Sequence, residues 1–61
     1  MRFNVYYYKS VDTPFIREIT VGQVNNEEAR MVALALFSEI PATICEIFTD
    51  TGNLVEELHK S

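Results

Sequence analysis

Residues 24–41 read VNNEEARMVALALFSEIP, and the reading of this stretch decides the fold. Asn25 is placed to cap a helix. Glu28, three residues on, completes a capping box, and Val24 with Ala29 supplies the matching hydrophobic staple. Glu27 and Glu28 fall in the first turn, where the positive end of the helix dipole favours carboxylates. Pro41 closes the element, because the residue before a proline is driven out of the α region. The pattern predicts a helix from Asn26 to Glu39, about 20 Å long at ~1.5 Å per residue.

Inside it, Met31 to Phe37 form an unbroken apolar run. A helix lying on a one-sided sheet needs only one apolar stripe. At about 100° per residue, Ala29, Val32, Ala33, Leu36, Phe37 and Ile40 share the arc expected to face the sheet. Met31, Leu34 and Ala35 are left opposite, beside Ser38 and Glu27. An apolar cluster rimmed by polar groups reads as a partner-binding face, so Met31, Leu34, Ala35 and Ser38 are candidate interface residues. A chain of 61 residues has little polypeptide with which to cover them. A second copy of the chain is the expected cover, which makes a homo-oligomer, most simply a dimer.

Outward from the helix the signals are those of strands. Residues 2–11 are dense in β-branched and aromatic side chains. Period two places Phe3, Val5 and Tyr7 on one face and Asn4, Tyr6 and Tyr8 on the other. Asp12-Thr13-Pro14 reads as a turn. Phe15 to Val21 resumes extended structure, with Phe15, Ile19 and Val21 on one side and Ile16, Glu18 and Thr20 on the other. Arg17 interrupts the apolar side and is expected near the strand's exposed end. Beyond Pro41, residues 43–49 predict a third strand and Asp50-Thr51-Gly52-Asn53 a turn, Gly52 and Asn53 both tolerating positive φ. Residues 54–59 complete a second hairpin; the competing reading is a short helix capped by Asn53 with Glu56 closing its box. The expected fold is a single α+β domain of order β-β-α-β-β, an antiparallel sheet with one helix packed on one face.

Composition narrows the function classes. Hydrophobic residues make up 48% of the chain, enough core formers to argue against disorder. Cys45 is the lone cysteine, so no disulfide forms within the chain and no Cys/His cluster offers a zinc site. An unpaired cysteine fits a reducing compartment. Met1-Arg2-Phe3-Asn4 lacks the apolar segment of a secretory signal, and the apolar run is far below the roughly 20 residues that span a bilayer. A cytoplasmic protein without a membrane partner is expected. The net charge is −4. Residues 1–30 balance four acids with four bases, whereas residues 31–61 set Glu39, Glu46, Asp50, Glu56 and Glu57 against Lys60 alone. Nucleic-acid binders cluster the opposite sign, so DNA and RNA are not expected partners. Glu46, Glu56 and Glu57 are instead candidates for an acidic surface that meets a basic protein.

The motifs that could carry chemistry weaken on inspection. Asp50-Thr51-Gly52 resembles the active-site triplet of aspartic proteases, in which two such aspartates share a proton. The chain is shorter than the dimeric members of that family. Thr49 before the triplet and Asn53 after it also depart from the family pattern, and the same residues are ordinary turn chemistry. His59 has no second soft ligand at a metal-binding spacing. Cys45 lies in an apolar strand with no sequence neighbour to lower its pKa. Gly22 and Gly52 do not make a phosphate loop. Glu56 and Glu57, adjacent on a strand, point to opposite faces. Neither enzymatic activity nor a metal or cofactor is expected.

Tyr6-Tyr7-Tyr8 places phenols on both faces of one strand, and tyrosine is enriched at binding hot spots. Tyr6 and Tyr8 therefore join the candidate interface, with Tyr7 in the core. The reading that results is a small non-enzymatic protein-interaction module, homodimeric. Its competitor is a phage-encoded or mobile-element inhibitor that blocks a host defence protein through the acidic surface, since small, acidic, cysteine-poor chains without catalytic motifs resemble such proteins in type.

Overall fold

Alternation along the first strand sets the layers of the molecule. Phe3, Val5 and Tyr7 are wholly buried, whereas the intervening Asn4, Tyr6 and Tyr8 are half-buried. The computed structural model describes residues 1–60. Among them the elements run β1 (Phe3–Tyr8), β2 (Arg17–Val21), α1 (Asn26–Phe37), β3 (Ile44–Thr49) and β4 (Leu54–His59). The strands form one antiparallel sheet of order β2-β1-β3-β4. β2 and β3 flank β1 and run parallel to each other, and α1 crosses between them over one face, resting on β1 and β3. The expected α+β architecture, in β-β-α-β-β order with a single helix among the described residues, is the one observed.

The helix forms where its capping signals place it. The Asn25 side chain accepts from the Glu28 amide at 2.8 Å, and the Glu28 carboxylate accepts from the Asn25 amide at 3.1 Å, so both halves of the box are present. Such a cap is worth about 1 kcal/mol. Regular helix stops at Phe37, two residues short of the predicted Glu39, and Glu39 donates back to the Leu36 carbonyl at 2.9 Å in a tightened last turn.

The packed face of α1 is rotated from the arc read on the helical wheel. Ala29, Ala33 and Phe37, spaced by four, are the buried residues. Val32, expected against the sheet, is 44% exposed, while Leu34, expected to be left over, is half-buried against the core. Two contacts fix this rotation. The Tyr7 hydroxyl donates to the Ala33 carbonyl at 2.8 Å within the core, and the Tyr7 and Phe37 rings lie 5.9 Å apart. The alanines let the backbone come within reach of Tyr7, and the helix then leans toward β3. The core is completed by Cys45, Ile47 and Ala42. Each large side chain buried here contributes roughly 1.5–3 kcal/mol.

The second hairpin takes the strand reading of residues 54–59, and the helix alternative does not form. Its turn needs Gly52, whose φ of +91° is costly for any residue with a Cβ; Asn53 does not share the positive φ. The β3–β4 register shifts between Ile47 and Phe48: Ile47 faces Glu56 while Phe48 faces Leu54, which leaves Val55 as the extra residue of a bulge. At the β2–α1 connection the left-handed residue is Gln23, at φ 60°.

Candidate functional site: the open face of the sheet

α1 covers one face of the sheet; the other face is laid out by the strand registers in transverse rows. Thr20, Asn4, Phe48 and Leu54 form one row across β2, β1, β3 and β4. Glu18, Tyr6, Glu46 and Glu57 form the next. Tyr8, Ile44 and His59 follow on the three strands that continue.

Phe15 belongs to this surface as well, which corrects its expected position. Period two from Phe15 to Val21 put it on one side with Ile19, which the structure packs against the core, but β2 begins only at Arg17 and Phe15 lies in the preceding loop. There its ring meets Tyr6 edge-on at 5.2 Å and Tyr8 at 6.4 Å, and Tyr6 in turn meets Phe48 at 5.7 Å. Strand alternation cannot reach a residue outside the ladder, so no periodicity in the sequence could have found this contact. Four rings from β1, β3 and the β1–β2 loop thus form a chain of edge contacts, Phe48–Tyr6–Phe15–Tyr8, on the side opposite α1, each pair worth about 0.5–1.5 kcal/mol beyond its burial. Phe15 is 47% exposed and Leu54 52%. Ile44 by contrast is buried, although it points to the same face.

The electrostatics of this face are one-sided. Glu46 and Glu57 stand directly opposite each other on neighbouring strands, with Glu18 two strands away in the same row. Like charges directly opposite are destabilising. Tyr6 and Tyr8 have phenols harder to ionise than usual. For Tyr6 the chief cause is the Glu18 carboxylate as acceptor for its hydroxyl. For Tyr8 burial leads, followed by the Glu46 carboxylate, and the pKa is pushed up to about 12. Glu57 also meets His59, whose Nε2 lies 2.6 Å from its Oε2.

The remaining candidates fall elsewhere. Met31, Ala35 and Ser38 are exposed on the outer side of α1, with Val32 beside them in place of Leu34. Glu56 separates from Glu46 and Glu57: it opposes Ile47 on the helix side and pairs with Arg30 at 2.9 Å. Asp50 lies in the β3–β4 turn, where the Thr49 amide donates to the Asn53 carbonyl at 2.9 Å and the Gly52 amide to the Thr49 carbonyl at 3.0 Å. Cys45 is buried with its thiol pushed up to about 11, chiefly by that burial, the condition of an inert thiol. Among the described residues no group of three or more His, Cys, Asp or Glu is placed to hold a metal, and no helix is long and apolar enough to cross a membrane. Against protein-family models, curated proteins and solved structures alike, the chain finds no match.

Proposed function

We propose that this chain is a non-enzymatic protein-interaction module and that the open sheet face is its working surface. The observation that carries this reading is the ring cluster of Tyr6, Tyr8, Phe15 and Phe48, ordered by edge contacts on the face opposite α1, where among the described residues only the β1–β2 loop lies over the strands. Rigid aromatic groups set among polar ones are the composition of binding hot spots. Occupying the surface of a larger protein, as an inhibitor of a host factor would, is a mode that suits a flat face on so small a chain.

A second reading, self-association through α1, is favoured by Met31 and Val32, which are 67% and 44% exposed side by side. Two paired substitutions separate the readings. Tyr6→Ser with Tyr8→Ser should abolish capture of a partner while the chain stays folded. Met31→Ser with Val32→Ser should leave capture intact and shift sedimentation from dimer toward monomer. Capture indifferent to the tyrosines would overturn the open face as the working surface. A wild-type monomer at high concentration would overturn the helix interface.

A further inference from the structure

The row Glu18–Tyr6–Glu46–Glu57 combines two features that stability alone does not explain. It sets three carboxylates across four strands, and it places two of them, Glu46 and Glu57, in direct cross-strand opposition. Opposed like charges work against the sheet they sit in, and such local conflicts with the fold concentrate at functional sites. Next to this pair lies a hollow of about 230 Å³, lined by Tyr8, Val11, Ile44, Glu46 and Glu57. That is below the usual volume of a small-molecule pocket, but it has room for one long side chain.

We propose that this hollow receives an arginine side chain from a partner protein, a step that rests on the open face being the working surface. Val11 and Ile44 supply apolar walls for the methylene stem, the Tyr8 side chain lines the hollow beside the guanidinium, and Glu46 and Glu57 accept its hydrogen bonds. Guanidinium suits this set better than ammonium, since its planar fork both stacks on a ring and bonds two carboxylate oxygens. His59 occupies one oxygen of Glu57, with Oε2 engaged and Oε1 left over. Charge decides against the other occupants. A second copy docked through the same patch would bring glutamates against glutamates, and nucleic-acid phosphate would be repelled.

The test uses the whole isotopically labelled chain and two capped peptides, one of alternating glycine and arginine, the other with citrulline in place of arginine. The arginine peptide should move the amide resonances of Tyr8, Ile44, Glu46 and Glu57 saturably, with affinity falling as salt rises. The citrulline peptide should not. Glu46→Gln should weaken binding roughly fivefold, the worth of about one exposed charge contact. The same substitution should raise Tm by roughly 2–4 °C by relieving the opposition with Glu57. Glu27→Gln, on the helix, should change neither. Shifts spread over all acidic residues, equal response to citrulline, or a Glu46→Gln variant that melts lower would each overturn the proposal. A partner captured through Tyr6 and Tyr8 but not displaced by the arginine peptide overturns the arginine site alone. Capture indifferent to those tyrosines overturns the underlying reading as well.

Discussion

The two faces of β1 carry the same side chain to opposite ends. Tyr7 is wholly buried, its ring near Phe37 and its hydroxyl given to the Ala33 carbonyl. Tyr6 and Tyr8, one residue away on either side, are half-buried, touch Phe15 and Phe48 at ring edges, and have glutamates as hydroxyl neighbours. On the covered face no buried side-chain polar atom among the described residues lacks a partner. On the open face apolar area and negative charge are both in excess. One face is finished as a core; the other carries half-buried and exposed rings beside carboxylates.

The strongest way to break this contrast is Tyr7→Ser. Removing the ring leaves a cavity and an unpaired carbonyl, a loss of about 3–5 kcal/mol. A domain of this size holds roughly 3–9 kcal/mol in all, so thermal melts should find the variant largely unfolded. Alkaline titration probes the same contrast without mutation. Burial, the leading cause, raises the Cys45 thiol from 9.0 to about 11 and the Tyr8 phenol from 10.0 to about 12, and lifts Tyr7 further still. The folded values exceed the unfolded ones, so this stability is fully present below pH 9 and is lost as pH rises through about 11 and 12. Cys45 accounts for about 2–3 kcal/mol of it. Cys45→Ala should therefore flatten the fall in stability between pH 9 and 11, and an unchanged curve would place the titration elsewhere.

Tyr6→Ser and Tyr8→Ser, made singly, should each cost less, about 1–2 kcal/mol, because ring contacts are lost but no sealed cavity forms. Either single substitution destabilising as much as Tyr7→Ser would mean that both faces are core and the contrast is false. The smallest expected effect lies outside either face. Gln23→Gly should stabilise by about 0.5–1 kcal/mol, since a left-handed residue with a Cβ is strained where glycine is not. Denaturant midpoints would register it, and a loss instead would show that the Gln23 side chain has a role of its own.

What was legible in the sequence was whatever depends on residues near one another in the chain. The Asn25–Glu28 box, the Gly52 turn and the alternation of β1 are of this kind, and each formed as read. Rotation of α1 was not legible, because it is set by Tyr7 reaching Ala33 across 26 positions. Period and composition treat Val32 and Leu34 as equivalent apolar residues; only the docked strand distinguishes them. Phe15 was assigned to the wrong face because its strand begins two residues later. The candidate site was legible in part. Tyr6 and Tyr8 followed from alternation, and Glu46 and Glu57 from charge. Their confrontation across β3 and β4 needed the register, and Glu56 left the group for the same reason.

The bulge opposite Ile47 and Phe48 has a consequence for crowded solutions. Protein sheets with straight, unguarded rims invite further strands to add on and template open-ended fibres. Here the rim at β4 is bent by Val55 and studded with Glu56, Glu57 and His59, so an incoming backbone meets broken spacing and charge. Strand addition at β4 is thereby opposed, and growth of a fibre through this rim is disfavoured.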